Sequence, residues 1–236
     1  MMPMYDRAVS AFSPEGRILQ VEYALVMVNN SPTAVGIATN EGVILGGIER
    51  RQDALQDKTF SHKIFKIDDH AGAVVAGFSS DARVLIDLAR NEAQINRLYY
   101  DEPVDIEYLV RRLSEVMQSY TQHAGFRPFG VSLVIGGVDL IGPNLYQIDP
   151  SGIYTKYFAT AAGIGRSVAM DKLKERYDKS MSLSETKRLV VEALKVANKE
   201  EAVVENVKLA EIKTDDRLFK MLSDAEVAEI FKLIPS

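Results

Sequence analysis

Several short stretches of the 236-residue sequence carry residue types that could do chemistry. The first, GFSSD at 77–81, resembles the Gly-x-Ser-x-Gly turn that presents a nucleophilic serine, but its fifth residue is Asp. The stretch separates a predicted strand from a predicted helix, where Ser80 or Asp81 can cap the first turn. We therefore expect a helix cap here, and a serine hydrolase that uses Ser79 or Ser80 is the weaker alternative.

A second stretch, AGIGRS at 162–167, is a glycine-rich turn between a strand and a helix. Backbone N–H groups at such a turn can bind phosphate. The stretch lacks the lysine and the spacing of a P-loop, and it lacks the full Gly-x-Gly-x-x-Gly pattern. A simple tight turn is the better interpretation.

The remaining candidates are histidines and paired aspartates. His62, His70 and His123 are far apart in sequence, and none has a partner at the i+4 spacing that suits a metal ion. The pairs at 68–69 and 215–216 are typical of solvated turns. We therefore expect no metal and no cofactor.

Composition narrows the function further. The 28 basic residues are outnumbered by 33 acidic ones, without a basic stripe, which argues against nucleic acid or an anionic membrane as the main partner. The absence of cysteine excludes disulfides, thiolate metal sites and cysteine nucleophiles. Met1 to Asp6 lacks the basic region of a secretory signal, and no apolar run approaches the ~20 residues that span a bilayer. We expect a soluble, cytoplasmic protein with one sizeable core.

The elements that must position these residues are predicted in the order helix, four strands, two helices, three strands, two helices, strand, helix. Hairpin turns are expected at 39–42 and 68–70, IYTKYFATAAG is read as one strand, and Ser184 is read as a helix cap. Strands in runs and helices in pairs indicate an α+β fold. Because the first strands are apolar on both faces, we expect two stacked sheets between two helix layers.

The first helix poses a separate question. It follows a turn at 13–16, and its apolar stripe consists of Ile18, Val21, Leu25 and Val28. Leu19, Tyr23, Val26 and Met27 are also apolar but lie off that stripe. A helix that is apolar on most sides needs partners on most sides.

The opening of the chain carries a specific resemblance. YDRAVSAFSPEGRILQVEYA, at 5–24, resembles the signature of proteasome α subunits, and HKIFKID, AGFSSDARVLIDLAR, RPFGVSL, IGPNLYQIDPSG and ATAAGIG are similar to further family stretches. The resemblance runs from residue 5 to about 195 and is of archaeal type. It implies the αββα Ntn-hydrolase sandwich with an added N-terminal helix, which packs neighbouring subunits in a seven-membered ring.

The resemblance also bears on catalysis. The catalytic β subunits use an N-terminal Thr that is released by cleavage after Gly. Here the nucleophile position, counted back from Gly36, falls on Pro32, and the position of the acidic partner falls on Ile48. Lys63 matches the β-subunit lysine. The resemblance therefore implies a non-catalytic subunit, and the alternative is a self-processed hydrolase that uses Thr33.

By resemblance, residues 1–12 form a flexible gate over the axial pore, and 13–236 form a single proteasome-type domain. Tyr5, Asp6, Pro14 and Tyr23 match the family's gate-positioning cluster.

The loop narrowing the channel below the gate matches His123, Ala124, Gly125 and Phe126. The implied partners are neighbouring α subunits, β subunits and unfolded protein substrates in transit.

Lys63 matches the lysine of a pocket between subunits. There the family binds the C-terminal carboxylate of an ATP-driven unfoldase activator whose tail ends in hydrophobic–Tyr–any residue. Gly77 would leave room for the tail backbone, and Glu22 matches a residue near the same pocket. The sequence departs from the family pattern, in ways that bear on subunit packing and activator preference, at Leu25, Ser31, Ile48 and Ser79.

Overall fold

The computed structural model describes residues 11–50, 53, 55–57, 61–123 and 125–234. The expectations for Tyr5, Asp6 and Ala124 lie outside these residues, as does nearly all of the expected gate segment. Within the described residues, ten strands form two antiparallel five-stranded sheets. The sheets are stacked, and five of the six helices cover their outer faces, as the α+β interpretation predicts.

The first sheet contains the first and the last of these strands. Its members are Ala34–Thr39 (β1), Gly42–Ile48 (β2), Ala159–Ala162 (β8), Val207–Lys213 (β9) and Phe219–Met221 (β10). They are ordered β10-β9-β2-β1-β8, and the β1–β2 hairpin turns at the predicted place. Every residue of β1 and β2 is buried, so this sheet is covered on both faces, as its apolar sequence predicts.

The second sheet consists of sequential hairpins in the order β3-β4-β5-β6-β7. Its strands are Ile64–Asp68 (β3), Ala71–Gly77 (β4), Val131–Val138 (β5), Pro143–Ile148 (β6) and Tyr154–Lys156 (β7). Glycines let the two sheets approach closely. A Cβ built on Gly36 of the first sheet would lie 2.7 Å from Val134 Cγ1 of the second, so a larger residue there would push the sheets apart.

The helices divide between the two sheets. They are Leu19–Asn29 (α1), Ser79–Tyr100 (α2), Ile106–Tyr120 (α3), Arg166–Arg176 (α4), Leu183–Asn198 (α5) and Asp224–Lys232 (α6). Helices α2 and α3 pack on the second sheet, and α4, α5 and α6 pack on the first. A third apolar cluster lies between the sheets. These layers form the four-layer αββα sandwich. Among the described residues, no helix combines the length and hydropathy required to cross a bilayer.

Helix α1 packs near the ends of β4 and β5. Only Ala24 and Val28 are buried, and Val28 is the one buried member of the predicted stripe. Tyr23, Val26 and Met27 are 53%, 56% and 47% exposed. The chain's own sheet therefore covers one side of this helix and leaves apolar side chains on the other.

The stretch IYTKYFATAAG forms two strands, and the prediction of one strand was wrong. The backbone crosses between the sheets at residues 157–158. Tyr157 N donates to Leu145 O in the second sheet (2.9 Å), and Ala38 N of the first sheet donates to the carbonyl of Phe158 (2.8 Å). The sequence looks like one strand because residues before and after the crossing both pack against other parts of the chain, so the apolar pattern is not interrupted there. The sequence reasoning also missed the short strand β10.

Both predicted helix caps were wrong. Helix α2 begins at Ser79 after Phe78, without a side-chain cap. The Asp81 carboxylate instead accepts hydrogen bonds from Arg127 (2.6 and 2.8 Å) and from Gly130 N (2.8 Å). Helix α5 is capped by Ser182, in a capping box with Glu185, and not by Ser184.

In the turn at 68–69, which the sequence predicts to be solvated, one of the two aspartates is buried. Asp68 is buried at the end of β3, where Arg97 of α2 donates to its carboxylate at 2.8 Å. Asp69 is exposed and pairs with Lys66 at 2.6 Å. Asp215 and Asp216 are exposed, as expected. An arginine side chain from a helix can pair with a turn carboxylate and allow it to be buried. Two adjacent aspartates in a sequence do not indicate such a partner.

Candidate functional site

A cavity of about 470 Å³ lies where β1 begins, β2 ends and α2 starts. It brings together two residues of the predicted activator pocket, Lys63 and Gly77, and two predicted departures, Ile48 and Ser79. Pro32 and the charged or titratable side chains of Glu49, Arg50 and His62 also line it. Residues separated by up to 47 positions in sequence thus share one cavity.

Lys63 directly precedes β3, and its carbonyl accepts from Val75 N at 3.0 Å. Its side chain is only 6% exposed, and its Nζ donates to the carbonyl of Pro32 at 2.5 Å. A Cβ on Gly47 would lie 2.7 Å from Lys63 Cγ and 2.8 Å from Cε. Gly47 therefore provides the space for the lysine stem.

The electrostatics of the cavity are set by burial. Loss of hydration lowers the pKa of Lys63 to about 7, against the opposing attraction of Glu49. The Glu49 carboxylate itself accepts from Ser61 Oγ (2.8 Å) and from His62 N (2.6 Å). An amine of this kind can present either a hydrogen-bond donor or a full positive charge to an anionic ligand.

Sequence reasoning missed the role of Gly47. The available signal was the double glycine followed by an acid in VILGGIE, because glycines inside a buried strand often mark a close approach of other groups. The approaching group is the Lys63 side chain, which sequence spacing does not reveal.

Gly77 is required by the fold. Its φ is +126°, and a Cβ there would lie 2.2 Å from the carbonyl oxygen of Gly130 and 2.7 Å from Val131 Cα. The neighbouring strand β5 therefore accounts for a glycine at this position without any ligand. The predicted role, room for a tail backbone, stays a prediction.

Other predicted residues lie elsewhere. Glu22 does not line the cavity; it lies on α1, with Oε2 3.4 Å from Arg17 Nη1. Pro14 lies in the predicted turn, which is closed by Gly16 N donating to Ser13 O at 2.8 Å. Tyr23 lines a separate cleft beside α1. Among the described residues, Pro14, Glu22 and Tyr23 thus lie at different places around α1, and the grouping of Pro14 and Tyr23 with Tyr5 and Asp6 stays a prediction.

The predicted constriction loop follows α3. His123 Nδ1 donates to the Ser119 carbonyl at 2.7 Å. Gly125 has a φ of +93°, and no described residue beyond its chain neighbours lies within 4 Å of a Cβ built on it. The half-exposed ring of Phe126 lies 4.9 Å from that of Tyr120. The loop is therefore anchored at its start, and the described part of the chain leaves open space around Gly125.

Thr33 does not face Lys63. It is fully buried, and its hydroxyl donates to the carbonyl of Ile164 and lies 3.2 Å from Asn198 Oδ1. The stretch AGIGRS is the expected tight turn, with φ of +98° at Gly163 and +70° at Gly165, and it packs against the backbone at 31–33. The threonine hydroxyl thus contacts Ile164 and Asn198 at the end of α5, whereas the lysine amine donates to the Pro32 carbonyl.

The remaining departures have local structural roles. Ser31 Oγ donates to the Val28 carbonyl at 2.7 Å just after α1 ends. Leu25 lines a small cavity beneath α1, and Ile48 is fully buried. Within the described parts of the chain, no three His, Cys, Asp or Glu side chains come together as a potential metal site.

The four layers form the αββα sandwich of the Ntn-hydrolase class that the resemblance implies, and Lys63 is buried next to the start of β1. A family model described as "Proteasome subunit" matches residues 28–212, and a second model, which describes the N-terminal signature of α-type proteasome subunits, matches residues 5–25. The chain belongs to the proteasome α-subunit family and is of archaeal type. This confirms the resemblance that the opening stretch predicts.

Relatives support the assignment over almost the whole chain. A proteasome α subunit of Methanococcus maripaludis is 45% identical over 230 residues, covering 98% of this chain and 88% of the relative. Its counterpart in Methanopyrus kandleri is 44% identical over 230 residues, covering 98% and 93%. That of Archaeoglobus fulgidus is 45% identical over 223 residues, covering 94% and 90%.

Proposed function

We propose that this chain is a non-catalytic subunit of the proteasome core and forms its outer, seven-membered α ring in the cytoplasm. The ring gates the entry of unfolded protein substrates and docks an ATP-driven unfoldase. Peptide hydrolysis takes place in partner β subunits, so that the assembly degrades intracellular proteins. Family membership supports the core-particle role, and the geometry around Lys63 supports the division of labour.

The observation that carries the non-catalytic role is the hydrogen bond from Lys63 Nζ to the Pro32 carbonyl. An N-terminal-threonine enzyme needs a free α-amine and a hydroxyl on the same residue, next to an activating group. Here the lysine amine donates to the peptide carbonyl of Pro32, and the Thr33 hydroxyl donates to the carbonyl of Ile164 and not to the lysine. This arrangement favours an intact chain over a self-processed one.

The exposed apolar side chains of α1 support ring formation. Tyr23, Val26 and Met27 are about half exposed on a helix whose other side is packed on its own sheet. Apolar patches of this kind mark interaction surfaces. A neighbouring copy in a cyclic ring would cover them.

The gate and the channel are proposed by family resemblance. Residues 1–12 form the gate, 13–236 form the single domain, and Tyr5, Asp6, Pro14 and Tyr23 position the gate. His123, Ala124, Gly125 and Phe126 narrow the channel beneath it. The open surroundings of Gly125 support the close approach of other copies.

The Lys63 cavity is the proposed docking site for the activator tail. A buried amine beside a cavity of about 470 Å³ suits a terminal carboxylate followed by two or three side chains. Glu22 and Gly77 belong to the same proposed site, with Glu22 reaching it through subunit packing in the ring.

Native mass spectrometry of the full chain expressed alone tests the assembly and the alternative together. We expect an intact subunit mass in assemblies of seven or fourteen copies. A Thr33→Ala variant should give the same masses, because no processing depends on its hydroxyl. A chain that begins at Thr33 in the wild type only would overturn the non-catalytic assignment.

A tail-docking measurement tests the activator role. A synthetic peptide that ends in Leu-Tyr-Ala with a free carboxylate should bind the assembled ring, and the same peptide with a C-terminal amide should not. Lys63→Met should abolish binding, whereas Lys66→Met, on the exposed side of β3, should retain it. Equal binding to all three proteins would exclude the Lys63 cavity as the docking site.

A further inference from the structure

The Lys63 amine is held in a way that suits both of its protonation states. Its hydrogen-bond partner among the described residues is the neutral carbonyl of Pro32, to which either an ammonium or a neutral amine can donate. Its stem fills the space above Gly47. The contact therefore fixes where the nitrogen lies without fixing its charge.

The Glu49 carboxylate lines the same cavity, and its described hydrogen bonds are made with groups other than the amine. Glu49 acts on Lys63 through its field, while Ser61 Oγ and His62 N occupy its two carboxylate oxygens. Burial opposes the charge more strongly than Glu49 supports it, which brings the pKa of Lys63 to about 7. The empty cavity thus contains the amine in both forms near neutral pH.

Further charged and titratable groups on the surrounding elements have their own partners. The guanidinium of Arg50 pairs with Glu201 at 2.5 Å. His62 Nδ1 accepts from the Arg83 guanidinium at 2.7 Å. Asp81, in the first turn of α2, is turned to Arg127. None of these described contacts supplies a carboxylate to the Lys63 amine.

We propose that the Lys63 cavity binds a carboxylate together with a proton, so that pH regulates its occupancy. This rests on the proposed docking function. The ligand carboxylate enters already ionised, and the neutral fraction of Lys63 takes up a proton from solvent as the ion pair forms. An opposite charge within about 4–6 Å favours the charged form of a buried group, and the ligand carboxylate supplies such a charge in addition to the field of Glu49.

The pKa of Lys63 sets the size of the expected pH dependence of carboxylate affinity. With the pKa of the empty site about 7 and that of the occupied site well above it, affinity falls about tenfold from pH 6 to pH 8. Proton uptake per occupied cavity is about 0.5 at pH 7 and about 0.9 at pH 8.

Isothermal titration calorimetry of the assembled full-length ring tests the proposal. The probe is the Leu-Tyr-Ala carboxylate peptide, titrated at pH 6, 7 and 8 in phosphate and in Tris, whose ionisation enthalpies differ. The difference between the two buffers gives the protons taken up. We expect the tenfold loss of affinity and an uptake that rises with pH.

Two variants test whether Lys63 or His62 takes up the proton. His62→Gln removes the imidazole from the cavity lining and keeps an amide oxygen that can accept from Arg83. The pH dependence of binding should remain in this variant. Lys63→Met should remove binding. Proton uptake that disappears in His62→Gln would overturn the assignment to Lys63.

The experiment distinguishes an error in the proposed proton uptake from an error in the proposed docking function. Carboxylate-dependent binding that is equally tight from pH 6 to pH 8, without proton uptake, overturns the linkage and leaves the docking site in place. No binding at any pH by a ring that native mass spectrometry shows to be assembled overturns the docking function and the linkage with it.

Discussion

Replacement of Lys63 by methionine should make the free energy of unfolding less dependent on pH. Methionine fills a similar volume above Gly47 and carries no charge. In the wild type, burial holds the pKa of Lys63 at about 7 in the folded chain, compared with 10.5 for an unperturbed lysine. Between these values the unfolded chain binds more protons than the folded chain, so wild-type stability rises with pH.

The magnitude follows from the two pKa values. Below pH 7 both states are protonated, and burial of the charge costs on the order of 5 kcal/mol. From pH 6 to pH 9 the wild type should gain about 2–3 kcal/mol relative to Lys63→Met. The lost hydrogen bond to Pro32 costs the variant about 1–3 kcal/mol at every pH. The variant should therefore be the more stable protein at pH 6 and lose that advantage by pH 9.

Guanidinium chloride unfolding of the assembled protein, followed by far-UV circular dichroism, measures this difference. All samples need the same chain concentration, because assembly contributes to apparent stability. Lys66→Met is the matched control: it removes a nearby exposed lysine that pairs with Asp69, a contact that should contribute less than about 1 kcal/mol. Parallel pH profiles for the wild type and Lys63→Met would refute a lowered pKa at Lys63.

Further substitutions test other parts of the structure, each by denaturant unfolding with native mass spectrometry as the check on assembly. Gly77→Ala should cost more than about 2 kcal/mol, because its Cβ would overlap the Gly130 carbonyl at a φ of +126°; a neutral result would contradict the β4–β5 geometry. Asp81→Asn should cost about 2 kcal/mol or more, because the uncharged amide leaves Arg127 and Gly130 N a single acceptor oxygen; wild-type stability would show that the carboxylate is dispensable. Ser182→Ala should cost about 1 kcal/mol and Ser184→Ala much less, since only Ser182 caps α5; equal losses would contradict this assignment.

The sequence predicted the layers because they depend on patterns that repeat. Runs such as VILGG and GVSLVIGG are apolar on both faces, and both became fully buried strands. The hairpin turns at 39–42 and 68–70 were also predicted correctly, because short polar turns with Gly, Asn or Asp tolerate few other conformations.

Three of the errors have a common cause, since each depends on which distant group contacts a residue. Asp81 looked like a cap, but Arg127 lies within hydrogen-bonding distance, so the carboxylate turns to it. The strand at 153–163 looked continuous, but adjacent backbone groups at 157 and 158 bond to opposite sheets. Gly47 was overlooked because the side chain that needs its space begins 16 positions later.

Lys63 Nζ determines both the pH dependence of stability and the proposed docking of the carboxylate. A buried ammonium without a carboxylate partner is unfavourable, and an apolar side chain of similar length would fill the space above Gly47 at lower cost. A ligand carboxylate would remove that penalty, so part of the binding energy comes from relief of the desolvation cost that the empty site already carries. Lys63→Met should therefore gain stability at pH 6 and lose peptide binding in the same preparation. If the variant loses binding without gaining stability, the lysine is better accommodated in the empty cavity than its burial indicates.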